Sequence, residues 1–324
     1  MTRKHHLFAF LCAAFLASPY ALANGASDLD VEYAEHQPLV GESMLLDITR
    51  AGNTLVTVGE RGHVLFSTDG KTWKQAEVVP TRSTLTTVTS VGGRLWAGGH
   101  DSVIITSGDG GNTWTRQFYD AERQQSVMDL YFTDEDNGVA IGSYGLYLKT
   151  EDGGQNWEDI EIDPDGGYHL NAMIRFEDGR RLIAGEAGYS YRSYDDGETW
   201  EMLDMPYMGS MWGALKLEGE CVLFYGLRGN AMESCDFGVS WEEYDTGTEA
   251  SISGGAYQDG MVLLAANSGM VLAREDSQGW NAEQHSSGVD FAAVIAQDDG
   301  SFLLVGENGV FEFPETATGG NSDD

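Results

Sequence analysis

Carboxylates are the most abundant reactive groups in this 324-residue chain: 52 Asp and Glu against 18 Lys and Arg. Five aspartates, Asp69, Asp109, Asp152, Asp195 and Asp236, recur at the same place in copies of one short motif. An acid so placed could act as a proton donor or as a metal ligand. An acid repeated in every unit is most simply part of the unit, and the motif explains why. In SGDGGNTW, Ser107–Trp114, the Ser closes a strand and the Asp can bond its own turn backbone. The Gly supplies a positive φ and the Trp begins the next strand. The other copies are TEDGGQNW ending at Trp157, SYDDGETW at Trp200, SCDFGVSW at Trp241, the shorter STDGKTW at Trp73 and a worn REDSQGW at Trp280. Each tryptophan can bury on the order of 200 Å² over the hairpin end. The motif therefore reads as a clamp.

Other chemistry is sparse. His36, His63, His100, His169 and His285 are scattered, with no HExxH spacing, no G-x-S-x-G elbow and no P-loop, and no metal or cofactor is called for. A glycosidase would need two carboxyl groups about 5–9.5 Å apart, and Asp101, Glu186 and Glu307 are the residues that would supply them.

The tryptophans that end the motifs are separated by 41, 43, 43, 41 and 39 residues. Such a period marks a repeat architecture. Each unit offers four short apolar runs, as in LLDIT, TLVTVG, HVLFS and TWKQAEV of the first, with a Gly-x-x-Gly turn between the second and third. Glycines there suit a two-residue hairpin. Six four-stranded units and a three-stranded seventh leave one strand missing, and Asp30–Val40 is available to supply it. The expectation is an all-β, seven-bladed β-propeller of four-stranded antiparallel blades, the last blade closed by the N-terminal strand.

In that topology the first strand of each unit lines a central channel, where Asp47 and Asp129 would hold a cation or trapped water. The clamps occupy one face, and the Gly-x-x-Gly turns share the other with the connections between units. Candidate partner-binding residues on this loop face are Arg61, His100, Asp101, Tyr144, Glu186, Arg228 and Glu307 at turn tips. The connections add Arg82, Arg123, Tyr168, His169, Tyr207 and Trp212. Tyr, Trp and Arg dominate protein-binding hot spots.

Residues 1–23 read as a signal peptide, with Arg3 and Lys4 before an apolar run and an A-x-A site at Ala21–Ala23. Residues 24–315 form the propeller and 316–324 a disordered acidic tail. The expected product is exported to the periplasm or beyond, is a monomer, and has no membrane-spanning segment. A formal net charge of −34 excludes nucleic acid as a ligand. Cys221 and Cys235 flank the hairpin CVLFYG-LR-GNAMESC. A two-residue Leu227–Arg228 turn sets Cys221 opposite Ser234, and a single bulge would then bring the thiols together. They read as a disulfide, with two buried free thiols as the alternative.

The clamp is the Asp-box, or bacterial neuraminidase repeat, and the chain resembles two groups that carry it. Sialidases place an Arg-Ile-Pro motif near their start. None is present here, and Arg50 and Arg61 lie outside such a context. The chain is more similar to the photosystem II assembly and stability factor family, over Leu45–Phe313. The resemblance rests on VGERG at Val58 with STDGKTW, AGEAG at Ala184 with SYDDGETW, and VGENG at Val305. It implies an exported, seven-bladed, non-enzymatic propeller that assists assembly of a membrane protein complex. Relatives in non-photosynthetic bacteria accompany RND-type transporters, so it implies an integral membrane protein as partner, a transporter among the candidates. The photosynthetic members are linked to an arginine-rich patch. Here Arg175, Arg180, Arg181 and Arg192 form the densest cluster on an acidic chain, and the photosystem partner is not carried over. A glycan-binding or sialidase-like glycosidase propeller is the alternative.

Overall fold

A computed structural model describes residues 31–164, 166–275 and 279–315. The expected signal peptide and tail lie outside these residues. Seven antiparallel sheets follow one another along the chain, six of four strands and one of three, each ordered as in the sequence. The innermost strands are Leu45–Ala51, Leu85–Val91, Val127–Phe132, Leu170–Arg175, Met211–Lys216, Ile252–Gln258 and Phe291–Ala296. This is the seven-bladed β-propeller that the motif period predicts.

Alternation along each strand sends apolar side chains to both faces of a blade, so the core is divided into packets between blades. Val56, Val58 and Val64 of blade 1 meet Leu95, Ala97 and Ile105 of blade 2. Trp96 of blade 2 is fully buried and stacks on Phe132 of blade 3, ring centroids 3.8 Å apart. The last packet joins Leu303 and Val305 of blade 7 to Leu45, Ile48 and Leu55 of blade 1.

That packet bears on how the ring closes. Blade 7 has the strands Phe291–Ala296, Phe302–Gly306 and Gly309–Phe313, and the N-terminal segment adds no fourth. Among the described residues, 31–39 form no strand. They run along the outer edge of blade 1, where Ala34 N–H donates to Val79 O at 3.0 Å and Gln75 Nε2 donates to Glu35 O at 2.9 Å. Side-chain packing between blades 7 and 1 holds the seam, in place of the expected strand.

The Gly-x-x-Gly turns also differ from expectation. In blade 1, Val58 pairs with Val64 and Gly59 N–H donates to His63 O, so the turn is the three residues Glu60–Gly62. Blades 2 to 6 turn the same way, and only blade 7, where Gly306 pairs with Gly309, has a two-residue turn. The extra residue resets the register of the cysteine hairpin. Val222 pairs with Ser234, Cys221 faces Cys235 without a bulge, and the two form a disulfide with Cα atoms 3.9 Å apart.

The clamps are built from hydrogen bonds. Asp109 Oδ1 accepts the N–H groups of Asn112 and Thr113 at 3.1 and 3.0 Å, its Oδ2 accepts the Thr113 hydroxyl, and Trp114 Nε1 donates to Gly111 O at 2.9 Å. Asp69, Asp152, Asp195 and Asp236 repeat this pattern. Hydrogen bonds from Ser240 hold the Asp236 carboxyl down at about 2. Trp73 and Trp200 likewise donate to a clamp glycine, whereas Trp157, Trp241 and Trp280 find no acceptor for the indole N–H among the described residues. The sixth clamp lies partly outside the described residues.

Candidate functional site on the loop face

Each loop-face turn carries a non-glycine residue in the left-handed region at its tip. Arg61, Asp101, Tyr144, Ala187, Arg228, Ser268 and Asn308 have φ between 53° and 65°. Each such residue costs roughly 1–2 kcal/mol, which the docking of the turn offsets. In every blade the first turn residue donates its N–H to the carbonyl just before the innermost strand, as Glu60 does to Met44 at 3.1 Å. At Gly59 a Cβ would lie 2.1 Å from that same carbonyl oxygen, a close approach that favours glycine, although blade 6 makes the same bond with Ala266 at this position. The tip side chains are thereby held outward, away from the sheet.

Five of the predicted residues converge between blades 3 and 4. Tyr144 is 61% exposed, and its ring meets His169 edge to face at 4.9 Å. Tyr168 stacks on Tyr189 at 3.5 Å. Glu186 Oε2 accepts the His169 N–H at 3.2 Å and lies 3.9 Å from its Nε2. Arg123 reaches in from the preceding connection and pairs with Asp120 at 2.9 Å and Asp159 at 2.5 Å. Burial works against its charge, and the hydrogen bonds to Asp159 and Asp120 more than restore it. Below lies a cleft of about 360 Å³, lined by Arg123, Tyr144, Tyr168 and Tyr191 with Asp159 and Asp163. Tyr191 Oη donates to Asp163 Oδ2 at 2.8 Å, and burial followed by this bond pushes the phenol upward. Among the described residues the cleft has aromatic walls, acidic edges and a single, already paired, cation.

The remaining predicted residues sit elsewhere on the turns and connections. Arg61 is at the blade 1 tip beside Glu60, and Arg82 pairs with Glu35 at 3.1 Å. His100 and Asp101 share the blade 2 turn, where Ser83 Oγ donates to Asp101 Oδ2 at 2.6 Å. Arg228 is the blade 5 tip, and Tyr207 packs against the core between blades 4 and 5. Glu307, on blade 7, accepts the Asp290 N–H at 3.4 Å. The carboxylates Asp101, Glu186 and Glu307 thus belong to blades 2, 4 and 7, and none of them lines the cleft or the channel cavity.

Trp212 lies at the channel. It occupies a bulge that recurs in the innermost strands, between Met211 and Gly213 in its own. The next residue of each strand forms one layer of the channel: Asp47, Thr87, Asp129, Ala172, Gly213, Gly254 and Ala293, all bordering a cavity of about 290 Å³. Asp47 Oδ1 accepts Ile48 N–H at 2.8 Å and its Oδ2 accepts Val88 N–H of blade 2 at 2.7 Å. Asp129 Oδ2 accepts Met173 N–H of blade 4 at 2.8 Å. Both carboxylates are enclosed by protein yet keep contact with the lumen. Burial pushes Asp47 up to about 6. Burial, reinforced by the charge of Asp47, pushes Asp129 up to about 7.

Sequence reasoning missed Tyr189, Tyr191 and Tyr225. The last carried a legible signal. The second strands end in TVG, AGG, AIG, IAG, FYG, LAA and LVG, and Tyr225 is the one large polar side chain at a position otherwise held by Val, Gly, Ile or Ala. Its partner across the sheet is Gly213.

Residues 117–254 match the family model described as photosynthesis system II assembly factor YCF48, and residues 40–167 match that of the DUF6242 beta propeller domain. The photosystem II assembly lipoprotein Ycf48 of Synechococcus sp. (strain RCC307) is 42% identical over 40 residues, which is 12% of this chain and 12% of that protein. Among solved structures, YCF48 bound to D1 peptide superposes with a TM-score of 0.71 at 17% identity, covering 87% of this chain and 98% of that one. YCF48 from Cyanidioschyzon merolae gives 0.69 at 19% identity, with coverage of 87% and 97%. Streptogramin B lyase gives 0.73 at 12% identity, with coverage of 87% and 96%. At these identities the structural likeness is one of fold.

Proposed function

We propose that this chain, a β-propeller of the photosystem II assembly factor-like family, is an exported, non-enzymatic assembly factor that binds a segment of a membrane protein on its loop face. The observation that carries this reading is the cleft between blades 3 and 4. Its walls are Tyr144, Tyr168 and Tyr191, aromatic groups that supply large contact area at low entropic cost. A fold neighbour in complex with a peptide supports the same use of the fold. Among membrane proteins, an RND-type transporter is the candidate partner, on the resemblance to relatives in non-photosynthetic bacteria. The non-enzymatic reading draws on the clamp aspartates, as in Asp109, whose Oδ1 is taken up by turn amides and whose Oδ2 is taken up by the Thr113 hydroxyl, and on the separation of Asp101, Glu186 and Glu307 onto different blades. Residues 1–23 would direct export and be removed.

The test is affinity capture from detergent-solubilised envelopes with residues 24–324 as bait, beside a bait carrying Tyr144→Ala and Tyr168→Ala. An integral membrane protein held by the parent and lost from the variant supports the reading. Turnover or binding of a polysaccharide, with no membrane protein retained, overturns it in favour of a glycan-active propeller.

A further inference from the structure

The loop-face mouth of the channel has features that the cleft does not explain. Its cavity is bordered by all seven innermost strands and contains two carboxylates, Asp47 and Asp129, while among the described residues no Lys, Arg or His lines it. An enclosed carboxylate without a cationic partner is costly. Each carboxylate already accepts backbone N–H bonds, and an oxygen holding one such bond keeps capacity for another. The acidic chain deepens the local potential further.

A second, independent observation points to the same place. Tyr225 is only 5% exposed, and its hydroxyl has no hydrogen-bond partner among the described residues although it borders the cavity. The ring reaches the lumen by passing between two innermost strands. A Cβ at Gly213 would lie 2.3–2.4 Å from the hydroxyl end of the ring, and one at Gly255 would lie 2.9 Å from Cε1. Both glycines clear a path for a phenol that would otherwise be excluded. At the rim, the indole of Trp212 is 38% exposed and has no aromatic or cationic contact among the described residues.

We infer that this mouth is a receptor for an organic cation, the guanidinium or ammonium head of an Arg or Lys side chain inserted by the bound partner. Asp47 and Asp129 supply counter-charge, Tyr225 Oη accepts an N–H, and Trp212 covers the alkyl stem and offers its π face. The volume of about 290 Å³ suits such a head and stem better than a bare metal ion. That the cation arrives on a partner's side chain rests on the protein-binding reading above. The pocket itself does not.

The experiment is calorimetric titration of residues 24–324 with N-acetyl-arginine amide, N-acetyl-lysine amide and calcium chloride. The variants are Asp129→Asn, Asp47→Asn and Tyr225→Phe, with Asp299→Asn, on the clamp face, as control. Asn keeps an acceptor for the neighbouring N–H, and Phe keeps the ring, so a folded protein is available even if one variant is lost. The expected result is binding of at least one amide by the parent and control. Losing a charged partner should weaken it by about tenfold or more in the Asn variants, with a smaller loss in Tyr225→Phe. Failure of both amides to bind, binding indifferent to all three variants, or binding of calcium alone overturns the inference. Envelope capture with Asp129→Asn then tests the source of the cation. Loss of the partner together with loss of the amide supports insertion of its side chain. Undiminished capture, or an intact amide site on a parent that captures nothing, leaves the pocket standing and overturns its assignment to a partner.

Discussion

The carboxylate of Asp47, in the innermost strand of blade 1, accepts the backbone N–H of Val88 in blade 2 at 2.7 Å. Asp129 makes the corresponding bond to Met173, from blade 3 to blade 4. Blades 2, 4 and 6 use the preceding bulge residue instead, Thr86, Asn171 and Ser253, each donating to the first carbonyl of the next innermost strand. The channel wall is thus buckled blade to blade by short side chains. Asp47→Ala leaves both the Ile48 and Val88 N–H groups without this acceptor, whereas Asp47→Asn keeps one satisfied. The alanine variant should be less stable than the asparagine variant by about 1–2 kcal/mol, measured by urea denaturation at fixed pH.

The same carboxylates set a pH dependence of stability. Their folded values of about 6 and about 7 lie above the ordinary 3.8, so the native state binds protons that the unfolded chain releases. Their contribution is fully present below about pH 4 and is lost as pH rises through about 6 to 7. Buried His63 works the other way, because burial depresses its protonation. The informative quantity is therefore the difference between parent and the Asp47→Asn, Asp129→Asn double variant. The parent should lose thermal stability relative to the variant between pH 5 and pH 8, and parallel melting curves over that window would refute the assignment.

The clamps predict an asymmetry between chemically identical residues. The Trp114 indole donates to Gly111 O, while the Trp157 indole has no acceptor among the described residues. Both substitutions to phenylalanine lose ring area, so Trp114→Phe should cost about 1 kcal/mol more than Trp157→Phe for its lost hydrogen bond. Chemical denaturation of the two variants checks this. Neither change should alter partner capture, since both lie on the clamp face.

Cys221 and Cys235, separated by 14 residues, tie the two strands of the blade 5 hairpin at its clamp end. Closing a loop of that length restrains the unfolded chain by about 3 kcal/mol. The Cys221→Ser, Cys235→Ser variant should lose on the order of 2–3 kcal/mol. It should also become insensitive to reductant, as followed by melting with and without dithiothreitol.

The architecture was legible because the clamp is local chemistry: a Ser or Thr, an Asp, a Gly and a Trp at fixed spacing build the same turn wherever they occur. The period then counts the blades. Asp30–Val40 misled because its Val and Tyr suit a strand, while its place is decided by contacts with blade 1, such as Ala34 with Val79. The turn length escaped because Gly-x-x-Gly is compatible with two or three residues. The choice falls to docking against Met44 and its counterparts, which two strands of the same blade separate from the turn along the chain. The cleft was half visible: Tyr144, Tyr168 and His169 stand on predicted loops, but Tyr189 and Tyr191 join them only when blades 3 and 4 come together.

The seam between blades 7 and 1 has a kinetic meaning. Arg50 and Gln297 meet there at 3.1 Å although 247 residues separate them. Each blade can pair its own strands early, from neighbours a few residues away, but this junction waits for everything in between. Ring closure should therefore be the late step of folding, and its loop entropy the reason the last packet forms slowly. A chain permuted to begin at blade 4 would carry blades 7 and 1 as sequence neighbours and move the slow step to another joint.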